Sequence, residues 1–521
     1  MTEWLAHRAD VLPAHPAVVL GDTTLTYREL DAAATALAGR LQAEGVAPGD
    51  RVALLVLNSL ELVVAIHAVP RAGAILLPLN ARLIPPELAY QLEDAAASLL
   101  LYHDRTAGQA AEAARAAKLA NTIDITPSPL GAIAPGAPSP PNPLSQRAGR
   151  GGTEEDAVSP PLPPQRERGP GAPGTGHRAL GTTARPFAII YTSGTTGAPK
   201  GAVLSHENFF ASAAASAFNM GVLPGDRWVA CLPLFHIGGL SIVTRSAIYG
   251  TTIVVHPAFD EHAVNAELRE GGATLLSVVP TMLQRMLDAD DLPYPATVRG
   301  VLVGGGPVTK VLLERATVRG LPVLQTYGLT EATSQVTTLA PGDALAHLGS
   351  AGKPLLGSRI RIDAPPGEPG EILVSGPTVT SGYWNRPDAT ASALHDGWLH
   401  TGDIGRLDGD GFLYVLDRRD DLIVCGGENV YPAEVEAAIK SFAGVCDACV
   451  VGLPDERWGQ VVAAAIVSTE GSLDTAALET YLRTKLAGYK VPRTVRLVES
   501  LPVTASGKVR RNVVRAELGS S

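Results

Sequence analysis

Apolar and polar positions switch between two periods along this chain. From Tyr27 to Glu44 the apolar residues Leu30, Ala33, Ala34, Leu37 and Leu41 recur every three or four positions, which predicts a helix that buries one face. Asp50 and Arg51 then lead into VALLVLN, a continuous apolar run of the kind that forms a strand covered on both sides. Leu60 to Ala68 returns to helical spacing, and AILLPLN after it reads as a second strand. This alternation predicts an α/β architecture with largely parallel sheets. Further apolar strands are expected at FAIIYTSG, WVACLPL, TTIVVH, TLLSVVP, GVLVGGG and PVLQTYG, most of them ending in glycine, hydroxyl or proline residues. Ligands of open α/β sheets bind beyond the C-terminal ends of the strands. The loops at Thr192, Gly304 and Thr326 are therefore expected to converge on one site.

The texture changes after Gly370. GEILVSG, GWLHTGD and GFLYVLD are short strands separated by Gly, Asp and Asn, a pattern that predicts antiparallel pairing. From Asp421 onward, helical spacing at Pro432 to Lys440 and Thr475 to Leu486 flanks the apolar runs CVVGLP and VVAAAIV, which predicts a small α+β unit. Residues 127–173 fit neither pattern. Thirteen of them are proline and none is aromatic, and SPPNPLSQR is nearly repeated as SPPLPPQR. Such a stretch cannot bury enough apolar surface to order itself, so it is read as a disordered surface insertion. A proline-rich ligand for another protein is the alternative.

The 521 residues suffice for two to four domains at about 150 residues each. A net charge of −10 argues against a broad nucleic-acid footprint. Four cysteines argue against a disulfide framework, and the isolated CxxC of Cys446 and Cys449 reads as small packed residues. MTEWLAHRAD has no basic segment followed by an apolar core. The most apolar region, Val52 to Leu79, is interrupted by polar residues, Pro and Gly, so no bilayer span is expected and the chain is read as cytoplasmic.

YTSGTTGAPKG, from Tyr191 to Gly201, concentrates hydroxyls, glycines and one lysine. Bare backbone N–H groups, hydroxyl donors and a cation are what a phosphate needs. The pattern GxxxxGK[ST] fails, because Pro199 stands where its second glycine should be and Gly201 where its hydroxyl should be.

The stretch instead resembles the signature of the adenylate-forming enzymes: acyl- and aryl-CoA synthetases, luciferases and peptide-synthetase adenylation domains. GGGP at Gly304, QTYGLTE at Gln325, GWLHTGD at Gly397, DRRDDLIVCGGENVYPAEVE at Asp417 and LPVTASGKVRR at Leu501 follow in that family's order, covering the chain apart from the insertion. The resemblance implies a large N-terminal domain of layered α/β sheets with a small barrel-like β subdomain, over 1–416. It implies a hinge at 417–420 and a small mobile α+β lid over 421–521. It also implies activation of a carboxylate by ATP, with Mg²⁺, followed by transfer to a thiol such as coenzyme A.

Roles carried over are these. Thr192, Ser193, Gly194, Thr195, Thr196, Gly197 and Lys200 would close on the β- and γ-phosphates. Gly304, Gly305 and Gly306 would form the adenine shelf, and Tyr327, between Thr326 and Gly328, would stack on the base. Thr330 would bond the α-phosphate, and Glu331 with Thr192 would hold Mg²⁺. Asp403 would accept the ribose hydroxyls, and Arg418 would contact ribose or phosphate. Lys508 would bridge carboxylate and α-phosphate, and Asp420 would be the hinge. The family's usual Gly-Arg before that hinge is Asp417-Arg418 here, a residue less at ease in the left-handed region.

Between the ATP motifs, CLPLFHIGGLSIVTRSAIYG supplies candidates for the acid. If Ser241 to Ala247 is helical, Ser241 and Arg245 share a face and can receive a second negative group. Pairing of Arg245 with an acidic residue is the alternative. His236 could line the route between acid and thiol, and a bend at Gly238-Gly239 would leave room for an aromatic ring. With Ser334 and Gln335 after the TE motif, these segments are similar to those of o-succinylbenzoate–CoA ligases of menaquinone biosynthesis, whose acid is an aryl dicarboxylate. A ligase for other aryl or medium-chain acids, an adenylating module for a carrier protein, and a non-catalytic nucleotide binder are the rival readings. The implied partners are small molecules (the aryl dicarboxylate, ATP and CoA), and a homo-oligomer is compatible with the sequence.

Overall fold

The computed structural model describes residues 3–126, 185–193, 199–306, 308–417, 422–469, 471–502 and 509–520. The proline-rich stretch 127–173 lies outside them, as do Arg418 and the expected hinge residue Asp420.

Two sheets enclose a layer of helices. The first runs in the order Thr122–Asp124, Leu99–Tyr102, Arg51–Leu55, Ile75–Pro78, Pro186–Ser193, Pro199–Ser205. Its first five strands are parallel and its last closes an antiparallel hairpin. The second has nine strands. Its parallel centre is Val323–Leu329, Gly300–Val303, Leu275–Val278, Arg227–Ala230, Thr252–Val255 and Pro16–Leu20, with antiparallel strands at both ends. One core joins both sheets through the helices Tyr27–Ala43, Leu60–Arg71 and Ile237–Tyr249.

These elements follow from local chemistry. Thr26 caps the first of the three helices in a reciprocal box with Glu29, and Leu30, Ala33, Ala34, Leu37 and Leu41 are all buried along its inner face. Leu60–Arg71 is buried at Leu60 and from Leu62 to Pro70, as an element between two sheets must be, with Glu61 the exception in its first turn. It runs past the expected end at Ala68 to Arg71, with Pro70 inside its last turn.

The strands after Gly370 form the expected antiparallel sheet. The segment 382–384, between the strands Gly370–Ser375 and Trp398–Leu407, lies along the outer edge of Pro199–Ser205. Val203 N–H donates to Gly382 O at 2.9 Å, Trp384 N–H donates to Gly201 O at 2.7 Å, and Ala202 bridges Tyr383.

The small C-terminal unit packs the helices Pro432–Lys440, Thr475–Arg483 and Arg511–Gly519 on a five-stranded sheet. Its second helix stops before Leu486, since the N–H groups of Thr484 and Lys485 bond three residues back and tighten the last turn. The architecture is thus α/β, with a large N-terminal part and a small α+β part. No helix among the described residues is long and apolar enough to cross a membrane. None of the four cysteines is in a disulfide; Cys449 is buried and Cys446 exposed.

Candidate active site

The strand ends of both sheets open on one cavity of about 380 Å³. Thr192, Gly304, Gly305, Thr326, Gly328, Thr330, Glu331 and Asp403 all line it, so the expected convergence of the loops holds. Gly306 follows just beyond the wall, against Pro280.

The phosphate stretch is a hairpin. Its tip, with Gly194, Thr195, Thr196 and Gly197, lies outside the described residues, as does the side chain of Ser193. The stem is fastened to the helix Pro85–Asp94: Tyr191 OH donates to Asp94 Oδ2 at 2.7 Å and Tyr90 OH to Pro199 O at 3.0 Å. Burial, and then the Asp94 carboxylate, push the Tyr191 phenol far above its ordinary range. Lys200 leaves the stem with Nζ 5.6 Å from the Tyr383 ring centre, to one side of the cavity wall. Beside the stem, Glu331 Oε1 accepts from Thr192 Oγ1 at 3.3 Å and Tyr383 OH at 2.9 Å. Both donors are neutral, and no cationic side chain among the described residues forms an ion pair with Glu331.

The backbone around Glu331 is tightly determined. A side chain at Gly328 would collide with the Ser334 carbonyl. Thr333 (φ 53°) and Ser334 (φ 87°) are both left-handed, which L-residues tolerate only when the surroundings over-determine them. This brings Ser334 and Gln335 onto the cavity wall.

Tyr327 follows Thr326 on the strand Val323–Leu329. It is 3% exposed, packs in the core beneath the antiparallel sheet and does not line the cavity. Strand alternation turns its side chain away from the face that Thr326 and Gly328 present. Its hydroxyl donates to Asp403 Oδ2 at 2.7 Å, which orients the carboxylate that reaches the cavity.

On the acid side, the helix Ile237–Tyr249 carries Ser241 and Arg245 on one buried face. Arg245 lines the cavity at 3% exposure. Its Nη2 donates to Ser212 Oγ at 3.2 Å, and Ser212 donates onward to the Thr333 carbonyl at 2.7 Å. No carboxylate among the described residues pairs with Arg245, so the acidic-partner alternative is not what the fold adopts. Arg245 Nε, Ser241 Oγ and both amide atoms of Gln335 are buried without a partner. Burial holds the Arg245 guanidinium below its ordinary pKa. Gly238 and Gly239 form the first turn of the helix and not a bend. Gly239 is required by the close approach of the Pro233 carbonyl.

His236, half exposed at the start of that helix, meets the small unit. Its Nε2 lies 3.1 Å from Glu428 Oε2, which also accepts from Asn80 Nδ2 at 2.8 Å, while Arg82 Nη1 lies 3.0 Å from Oε1. Glu428 is 2% exposed. Burial alone would raise its carboxyl, but His236, Arg82 and Asn80 together outweigh it and hold the pKa below the usual range. Asn80, Arg82 and Glu428 escaped the sequence reading. The first two follow the end of the strand Ile75–Pro78, where the strand-end rule would have pointed. Glu428 stands inside the quoted GGEN. Arg418, Asp420 and Lys508 lie outside the described residues.

A family comparison decides the relationship: residues 5–384 match the AMP-binding enzyme family and residues 434–508 its C-terminal domain. The chain belongs to the AMP-binding enzymes. Among curated relatives, the 2-succinylbenzoate–CoA ligase of Geobacillus sp. (strain WCH70) is 42% identical over 519 residues, which is 98% of this chain and 96% of the relative. That of Listeria monocytogenes serotype 4b is 38% identical over 515 residues, 99% of each.

Among solved structures, a double mutant of Bacillus subtilis o-succinylbenzoate CoA synthetase bound to a product analogue, OSB-NCoA, superposes with TM-score 0.84 at 36% identity, over 100% of this chain and 98% of that one. The same enzyme with ATP and magnesium gives TM-score 0.69 at the same 36% identity, over 98% and 99%. Sequence distance is equal in the two cases, so the difference lies in how the chain is arranged. This AMP-binding enzyme shares the arrangement of the product-analogue complex, with the Glu428 hairpin at the cavity.

Proposed function

We propose that this AMP-binding enzyme joins 2-succinylbenzoate to coenzyme A, with cleavage of ATP to AMP and pyrophosphate, as a step of menaquinone biosynthesis in the cytoplasm. The observation that carries the substrate is Arg245, a buried guanidinium on the cavity wall with no carboxylate of its own. A monocarboxylic acid would leave it unpaired. A dicarboxylate fills the cavity with the missing charge and supplies acceptors for the unpartnered Ser241 and Gln335 donors.

The chemistry runs in two steps. In the first, an oxygen of the free carboxylate attacks the α-phosphorus, the bond to pyrophosphate breaks, and an acyl-adenylate forms. Both reactants are anions, so orientation and opposing charge carry the rate. Arg245 fixes the far carboxylate, Thr330 faces the phosphate, and Asp403, held by Tyr327, takes the ribose hydroxyls. Lys508 and Lys200 are assigned the cationic contacts, the loop 194–197 the terminal phosphates, Gly304 and Gly305 the base, and Arg418 the ribose or phosphate.

Glu331 and Thr192 offer hard oxygen donors with no cation paired to them among the described residues, which suits Mg²⁺ shared with phosphates; when bound, it would neutralise their charge. In the second step the thiol sulfur adds to the acyl carbon, its proton leaves, and AMP departs with the C–O bond pair. His236, held through Nε2 by Glu428, is assigned that proton. The division 1–416, hinge 417–420 with Asp420, and lid 421–521 is part of the same reading.

The test is an assay with ATP, Mg²⁺ and CoA that compares o-succinylbenzoate with benzoate, octanoate and succinate, following AMP and thioester mass. A kcat/KM at least ~100-fold higher for o-succinylbenzoate, equivalent to ~2.7 kcal/mol of discrimination, supports the reading. Equal rates on all four acids overturn the substrate, and AMP release without thioester overturns the acceptor.

A further inference from the structure

A buried lysine sits in the seam between the two parts of the chain. Lys490 ends the short turn Gly488–Lys490 of the small unit and is 4% exposed. Its Nζ lies 2.6 Å from Glu87 Oε1, on the N-terminal side, and 2.8 Å from Glu434 Oε1, in the first turn of Pro432–Lys440. Burial works against the ammonium, but the Glu434 and Glu87 carboxylates outweigh it and hold its pKa above the ordinary range.

The two carboxylates are not equivalent. Glu434 and Lys490 belong to the same unit and travel together. Glu87 belongs to the other part. It is the third residue of the helix Pro85–Asp94, and its Oε2 accepts the Ile84 N–H at 3.0 Å. Its own helix start thus fixes one oxygen and aims the other at Lys490. Three largely buried charges sum to −1, and Glu434 Oε2 has no hydrogen-bond partner among the described residues. When Glu87 departs, a neutral Lys490–Glu434 pair remains and Glu87 keeps its cap. The contact that crosses the seam is therefore the one that can be made and broken without stranding a charge in the small unit.

It sits where it can set the arrangement of the cavity. The segment Asn80–Glu87 meets the small unit twice: Asn80 and Arg82 hold Glu428, while Asn80 also reaches Tyr489 OH at 3.4 Å and Glu87 takes Lys490. Glu87 itself does not line the cavity, so it touches neither ATP nor acid there. The same helix pins the phosphate hairpin through Tyr90 and Asp94, which gives Glu87 a rigid mount.

Resting on the ligase reading above, we propose that Glu87 is a positioning residue for thioester formation: its ion pair with Lys490 holds the small unit where the Glu428 hairpin closes the cavity, an arrangement that the adenylation step does not use. Glu87→Gln keeps the size and the oxygen that caps Ile84 and removes the charge.

Two rates are measured on the full chain: acid-dependent ATP–pyrophosphate exchange without CoA, and thioester formation from preformed acyl-adenylate. The expected result is exchange within twofold of wild type and a thioester rate lower by tenfold or more. Equal loss of both rates overturns the proposal, because it marks a general structural role. Unchanged thioester formation overturns it as well. Wild-type exchange is the control on the ligase reading. Its absence sinks that reading together with the proposal, whereas a normal wild type beside an unaltered variant sinks the proposal alone.

Discussion

Arg245 makes opposite predictions for stability and for activity. In the protein without substrate it is a desolvated cation whose only side-chain hydrogen bond among the described residues is the 3.2 Å contact to Ser212, with Nε unpartnered among them. Replacing it with methionine, similar in length and apolar, removes that burial cost. Exchanging buried ionic groups for apolar ones of like volume is neutral or stabilising by about 1–4 kcal/mol. The apparent melting temperature of Arg245→Met should therefore stay level or rise.

The substrate reverses the sign. A second carboxylate docked on Arg245 is a buried ion pair, and removal of one partner costs about 3–5 kcal/mol. At ~1.4 kcal/mol per tenfold, kcat/KM for o-succinylbenzoate should drop by roughly 140- to 3,700-fold. Benzoate has no second carboxylate, so its turnover should change by less than about threefold, by the same arithmetic. Thermal unfolding and steady-state kinetics on the two acids decide the matter. A similar loss on both acids, or a marked fall in melting temperature, would refute the reasoning and make Arg245 a structural residue.

Tyr327→Phe removes the 2.7 Å hydroxyl donor from Asp403. A hydrogen bond to a charged group is worth about 1.5–3 kcal/mol, so KM for ATP should rise about tenfold or more while KM for the acid stays level. His67, buried in the central helix, has its pKa pushed down to about 3 by burial and then by Arg71. The unfolded chain takes up that proton near pH 6.5 and the folded one does not, so stability falls as the pH drops from about 6.5 toward 3. Between pH 6.5 and 4.5 His67 should cost about 2.3 kcal/mol, and His67→Leu should flatten the acid side of a denaturant-midpoint series by about that amount.

What the chain's pattern disclosed is local. The stripe of Leu30, Ala33, Ala34, Leu37 and Leu41 became a buried face because helical spacing reports its own burial. Pro432–Lys440 has the ends that its spacing implied. Convergence of Thr192, Gly304 and Thr326 followed from strand direction. The i,i+4 placement of Ser241 and Arg245 was visible, but whether Arg245 had a partner depended on which residues the fold would bring near it. The packing of Tyr327 among the core residues beneath the antiparallel sheet is a tertiary contact that its motif does not carry. The pairs His236–Glu428 and Glu87–Lys490 join residues 192 and 403 positions apart, across two units, and no local periodicity encodes such contacts.

The segment 382–384 that lies along Pro199–Ser205 has a consequence for the life of the chain in a crowded solution. A hairpin strand at the border of a sheet exposes unpaired N–H and C=O groups, and those are templates for pairing with other molecules. Here the bonds of Val203 to Gly382 and of Gly201 to Trp384 use that ladder internally. The sheet is thus sealed against strand addition beside the stretch that must stay open to nucleotide. The seal is supplied by residues nearly two hundred positions later in the chain, so a ribosome-bound or truncated fragment that ends before them would present the naked border. Such fragments should aggregate where the whole chain does not.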